Sequence, residues 1–252
     1  MSAASGLERL TAIMRRLRDP VSGCEWDRAQ DFGSIAPYTI EEAYEVADAI
    51  ERDDMEALAD ELGDLQLQVV FHAQMAAEAS HFTLADVMAG ICDKLERRHP
   101  HIFGGSDHSP GWEEIKALER QKSADSSALS GVALALPALE RAAKLQRRAA
   151  RTGFDWPDLS GPRAKIDEEL AELDAESSTE RQSEELGDLL FAVVNLARYL
   201  NIEPELALRE ANRKFESRFR AIETEPGFAD LSLAGKERLW AAAKLAQAGK
   251  PA

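Results

Sequence analysis

The chain has 252 residues, with 30 Lys or Arg against 46 Asp or Glu, a formal net charge of −16. That length allows one large domain or two small ones, each able to bury a core, and a hydrophobic content of 44% excludes disorder of the whole chain. So acidic a body repels nucleic acid and anionic membranes at long range, so a phosphate-bearing partner must meet a local basic cluster or a bound cation, and no nucleic-acid partner is expected.

The opening MSAASGLERL lacks a basic segment leading into an apolar stretch, and no run approaches the roughly 18 apolar residues of a membrane span. Cys24 and Cys92 have neither CxxC nor zinc-ligand spacing. Together these predict a cytoplasmic protein with no membrane partner, in a reducing compartment.

Along the chain almost every long segment has helical spacing: Leu7, Leu10, Ile13, Met14 and Leu17 recur at steps of three and four, and Leu58, Leu62, Leu65, Val69 and Phe71 do so loosely. Helices are predicted over 5–17, 37–51, 54–79, 84–98 and 111–122, then over 137–151, 162–176, 180–201, 203–221 and 232–247. The Ser- and Gly-containing stretch 123–131 reads as a linker. The fold class is therefore all-α.

The two sets of helices match in order. Leu7 to Arg9 with Arg15 and Arg16 reappear as Leu139 to Arg141 with Arg147 and Arg148, and GCEW at Gly23 reappears as GFDW at Gly153. EEAYE at Glu41 corresponds to EELAE at Glu168, and ELGDL at Glu61 recurs at Glu185. Lys94, Glu96 and Arg98 match Lys214, Glu216 and Arg218, and Trp112 with Lys116 matches Trp240 with Lys244. This order predicts a tandem duplication of a helical bundle, with domains over 1–122 and 132–252.

Glu42 with Glu45, Glu61 with Asp64, Glu169 with Glu172, and Glu185 with Asp188 are each three apart, so each pair projects from one helix face. The short turns between these helices make them antiparallel neighbours, and facing pairs would converge four carboxylates. At ~4 Å and an effective dielectric near 20, each like-charge contact costs about 4 kcal/mol, so such a group calls for cations or protons. Hard oxygen ligands suit Mg2+, with Mn2+ as a substitute. An isolated ExxE is usually a solvated face, but here each ELGDL leads into an apolar run and the constellation occurs twice.

Cations stand nearby in the second repeat. Lys165 precedes Glu169 by one turn, Arg181 precedes Glu185 by one turn, and Asn212, Lys214 and Arg218 follow in ANRKFESRF. Lys244 lies one turn after Trp240, which either stacks a base or packs. The first repeat has Tyr38, Ala57 and Cys92 where the second has Lys165, Arg181 and Asn212, so the second is expected to be the main site. There is no GxxxxGKS loop and no GxGxxG following a strand. Glu78 with His81, and Glu96 with His99, have the ExxH spacing of di-iron bundles, but neither His recurs in the second repeat.

The segments GCEWDRAQDF, ELGDLQLQVVFHAQMA and DKLERRHPHIFG, with GFDW, EELAEL, EELGDLLFAVVNLARYL and ANRKFESRF, closely resemble the MazG nucleoside triphosphate pyrophosphohydrolases across about residues 5–247. The resemblance implies a helical-bundle dimer that uses Mg2+ to convert nucleoside triphosphates to monophosphate and pyrophosphate. It assigns metal binding to Glu169, Glu172, Glu185 and Asp188, with Glu42, Glu45, Glu61 and Asp64 as a second set. It places Lys165, Glu168, Arg181, Lys214, Arg218 and Trp240 at the nucleotide, with Glu168 either a base or a support for the ligands. A module that senses nucleotide without turnover, or binds a protein partner, is the alternative, and a di-iron oxidoreductase ranks below it.

Overall fold

The computed structural model describes residues 2–104, 125 and 127–248. The predicted helix 111–122, with Trp112 and Lys116, lies outside them, as does part of the 123–131 linker. Contacts divide the chain into two compact units, Met1–Lys116 and Ala117–Ala252. Among the described residues there are helices and no strand.

In the first unit α1 spans Ala3–Leu17, α2 Glu25–Ala29, α3 Phe32–Glu51, α4 Met55–Glu78, α5 Leu84–Arg98 and α6 Pro100–Phe103. The long α4 packs against α1, α3 and α5. α3 starts five residues before the predicted position, because a capping box between Asp31 and Ser34 satisfies the first N–H groups and carries Pro37 inside the helix. Asp54 caps α4 by accepting from Ala57 N–H, and the three residues between the helices fold α4 back along α3. The apolar core joins Met14, Ile35, Val70, Phe71 and Met75, flanked by Leu7, Leu10, Leu67 and Leu84. Each fully buried side chain of this size contributes about 1.5–3 kcal/mol. The loosely predicted α4 stripe is shifted: Leu62 is exposed, while Val70, Phe71, Ala73 and Met75 are buried. Arg18 locks the ends of α1 and α4 together, its guanidinium on Glu78 at 2.8 Å and 5.5 Å from the centre of the Phe71 ring. Gly23 is needed in the turn after α1, since a Cβ there would lie 2.3 Å from the Leu17 carbonyl oxygen.

In the second unit α7 spans Ala138–Ala150, α8 Ser160–Ala175, α9 Thr179–Tyr199 and α10 Pro204–Glu223; a 3-10 turn, Phe228–Asp230, leads to α11, Leu233–Ala248. Here α9 is the central helix, packed on α7, α8 and α10, as α4 is on α1, α3 and α5. Ser178 caps α9 by accepting from Arg181 N–H, which turns α9 back along α8. The buried residues of α7 to α9 are small or polar: Ala143, Gln146, Pro162, Glu169, Ala192 and Val194.

Candidate active site

In both units the acidic residues converge across the helix pair that meets at a short turn. α8 and α9 bring carboxylate oxygens of Glu169, Glu185 and Asp188 within 4.8 Å of one another, and α3 and α4 do the same with Glu42, Glu45 and Glu61. The fourth acid of each expected quartet stands outside these tightest groups, yet is electrostatically part of them. Glu172 is pushed up from the ordinary carboxylate range by desolvation, then by Glu169 and Glu185. Glu42 is pushed up by desolvation, then by Asp64 and Glu45. Glu61 is raised by desolvation and by Glu45, Asp60 and Asp64, with Arg52 opposing. Glu42, Glu61 and Glu172, raised by desolvation and by neighbouring acids, mark groups short of positive charge, and an oxygen-only donor set is the kind a hard divalent cation takes.

The second unit meets part of that need internally. Lys165 Nζ lies 2.8 Å from Glu168 and 2.5 Å from Glu169, whose side chain is only 5% exposed. These two carboxylates hold the Lys165 ammonium above its usual range. Arg181 reaches Glu184 at 2.8 Å and both Glu176 and Glu185 at 3.4 Å, so it too is held high. In the first unit Tyr38 occupies the Lys165 position and lies edge-on to Trp26, centroids 6.2 Å apart. Arg52 is taken by Asp48 at 2.8 Å and Asp54 at 3.0 Å.

The other candidate nucleotide contacts lie on α10 and α11. Lys214 pairs with Glu210 at 2.7 Å. Arg218 donates to Gln247 at 2.8 Å and lies 5.9 Å from the centre of the Trp240 ring, which packs on Phe215 at 5.2 Å. Asn212 and Lys244 are exposed. No hydrogen bond or ion pair among the described residues joins Lys214 or Arg218 to the carboxylates. Sequence spacing missed Glu176 and Glu184 as partners of Arg181, although Glu184 is visible as its i+3 neighbour.

Neither ExxH spacing assembles a ligand group among the described residues. Glu78 is occupied by Arg18, while His81 follows the left-handed Ser80 (φ 58°) beyond the end of α4. His99 Nδ1 is 2.7 Å from the Leu95 carbonyl oxygen.

Each unit is thus helical among its described residues, with a group of carboxylates across one helix pair. The MazG nucleotide pyrophosphohydrolase domain matches residues 30–103, which hold the first acidic set. The chain is 51% identical over 228 residues to a nucleoside triphosphate pyrophosphohydrolase of Escherichia coli (strain K12), covering 86% of this chain and 87% of that protein. It is 48% identical over 221 residues to the nucleoside triphosphate pyrophosphohydrolase/pyrophosphatase MazG of Thermotoga maritima, covering 86% and 85% respectively. Bacillus subtilis YabN is 44% identical over 248 residues, a match that spans 92% of this chain and 50% of that protein. The chain belongs to the MazG nucleotide pyrophosphohydrolase family.

Proposed function

We propose that this chain is a magnesium-dependent hydrolase that converts nucleoside triphosphates to the monophosphate and pyrophosphate. The carrying observation is the group of Glu169, Glu185 and Asp188 within 4.8 Å, flanked by Lys165 and Arg181. The relatives' names support the nucleoside triphosphate substrate, and the oxygen-only donors support Mg2+, with Mn2+ as substitute. When bound, such an ion supplies neutralisation of phosphate charge and lowers the pKa of a coordinated water. Glu169, Glu172, Glu185 and Asp188 would hold it, with Glu42, Glu45, Glu61 and Asp64 as the corresponding set in the first repeat. Lys165 and Arg181, each paired with an acid of this group, would take phosphate oxygens and stabilise charge on the departing pyrophosphate. Glu168, exposed and hydrogen-bonded to Lys165, either accepts a proton from the attacking water or fixes that lysine. Lys214, Arg218 and Trp240, with Asn212 and Lys244, serve the nucleotide from the α10–α11 side.

The second repeat is proposed as the main site, because only it combines the carboxylates with Lys165 and Arg181. Turnover of nucleoside triphosphates is expected to stop on chelation and to return with Mg2+ or Mn2+. Turnover that survives complete chelation would contradict the reading. Metal-dependent nucleotide binding without turnover would instead make the chain a sensing module.

A homodimer is also proposed. Leu186, Leu190, Phe191 and Val193 of α9, and Leu206 and Leu208 of α10, are 44–52% exposed, apolar side chains that facing helices of a second copy would cover. Light scattering at micromolar concentration is expected to give twice the chain mass of 27.7 kDa, and a monomer there would remove the claim.

A further inference from the structure

In the second unit the GFDW segment leads into α8, and the last residues of α9 are tied to it. Asp155 Oδ2 accepts from Arg198 Nη1 at 2.9 Å, while its Oδ1 accepts from Arg198 Nη2 and, at 2.9 Å, from Tyr199 Oη. Tyr199 shares its one hydroxyl proton between Asp155 and the Trp156 carbonyl. Asn195 Oδ1, one turn earlier on α9, accepts from Arg198 Nε at 3.0 Å and Nη2 at 2.8 Å, so the guanidinium is held from two sides. The Arg198 and Asp155 side chains are only 14% and 27% exposed, which sets this bidentate pair apart from an ordinary surface ion pair.

The same segment is fastened to α8. The Trp156 ring packs on the first turn so closely that a Cβ on Gly161 would lie 2.5 Å from it, and Asp158 accepts from the Ser160 N–H at 2.8 Å. The end of α9 is thereby bound to the start of α8. Glu169 lies eight residues beyond Gly161, and Asp188 lies ten residues before Arg198. At 1.5 Å per residue these are roughly 12 and 15 Å along the two helices, so the acids of both stand at nearly the same height above the clamp. Gly161, Lys165 and Glu168 follow at steps of four and three, which puts the Trp156 contact on the stripe of α8 that carries the cation.

The first unit locks the corresponding joint with different residues. By the repeat match Glu25 and Gln74 stand where Asp155 and Arg198 do, and the guanidinium comes instead from α1. Arg18 holds Glu78, the last residue of α4, at 2.8 Å and donates to the carbonyls of Asp27 and Gln30, just before α3, at 2.5 and 3.2 Å. Both repeats tie the end of the central helix to the chain entering its acidic partner, with a guanidinium supplied from a different helix in each. A contact rebuilt in this way serves the joint rather than a ligand. We propose that the Asp155–Arg198 pair, closed by Tyr199, is a positioning device: it sets α8 along α9 and so holds Lys165 and Glu169 opposite Glu185 and Asp188, without touching the substrate. This role rests on the metal and triphosphate reading of those carboxylates. Carboxylates that meet within 4.8 Å lose a shared cation when one helix slides by about 1 Å.

The test uses the full chain with Asp155→Asn, which keeps the shape and removes the charge, and Tyr199→Phe, which removes one hydroxyl. Arg147→Met, which breaks the Arg147–Glu203 pair of the same unit, is the control. Melting curves locate a temperature at which each variant is fully folded, and calorimetry there measures three ligands: Mg2+ alone, and inorganic tripolyphosphate and α,β-methylene nucleoside triphosphates with Mg2+. Asp155→Asn is expected to weaken all three about tenfold and Tyr199→Phe about threefold, with no change in Arg147→Met. If Asp155→Asn does not fold, Tyr199→Phe carries the same comparison. Unchanged affinities in the folded variants would overturn the inference and leave the pair a structural contact. Weakened nucleotide binding beside unchanged Mg2+ and tripolyphosphate would overturn it too, by making the pair a contact to the base or sugar. Because Mg2+ alone reports on the carboxylates, failure of the unaltered protein to bind tripolyphosphate would count against the triphosphate reading only, whereas failure to bind Mg2+ would overturn both.

Discussion

Glu172→Ala is expected to lower kcat by about 10^2 to 10^3-fold at saturating Mg2+, while Glu45→Ala keeps activity within about tenfold of wild type. Glu172 is itself held high by desolvation and by Glu169 and Glu185, and Glu45 helps to raise Glu42 and Glu61, so an acidic group stands in each repeat and metal binding alone does not separate them. The separation comes from the cations: Lys165 and Arg181 stand at the second group, whereas Tyr38 and Ala57 occupy those positions at the first. Steady-state kinetics of the two variants, with melting curves to confirm folding, checks this. Loss of hydrolysis in Glu45→Ala beside near-normal Glu172→Ala would reverse the assignment.

Lys165→Met and Arg181→Met are each expected to raise KM for nucleoside triphosphates about 10- to 100-fold, the size of one charge-assisted phosphate contact. Lys165→Met has a second expected consequence. It strands Glu169, a carboxylate only 4% exposed, so the metal-free variant should melt below wild type, and Mg2+ should recover the difference by replacing the lost positive charge. Arg181→Met leaves no carboxylate so deeply buried, since Glu185 is 12% exposed and Arg181 itself 55%, and should show little of this effect. Kinetics and melting with and without Mg2+ measure both. Unchanged KM in the two variants would remove these side chains from the phosphate site.

Much of this arrangement is legible in the sequence because helix geometry is local. Three-residue spacing puts Glu42 with Glu45 and Glu185 with Asp188 on single faces, whereas the caps at Asp54 and Ser178, which turn one helix against the next, come from the structure. Other features escape for physical reasons. Reading Pro37 as a helix start hides the Asp31–Ser34 capping box five residues earlier, and α2 and α6 are too short for periodicity to register. The expected convergence of four carboxylates is uneven in side-chain packing: Asp64 falls outside the tight group of the first repeat and Glu172 outside that of the second, although the motifs align. Sequence spacing put Lys214 and Arg218 near the acids, but Glu210 lies one turn before Lys214 and Gln247, on the next helix, receives Arg218.

The most direct measurement is product identification after incubating the protein with ribo- and deoxyribonucleoside triphosphates and Mg2+. The expected products are nucleoside monophosphate and pyrophosphate, released one for one. Orthophosphate with nucleoside diphosphate remaining would contradict the proposed bond cleavage.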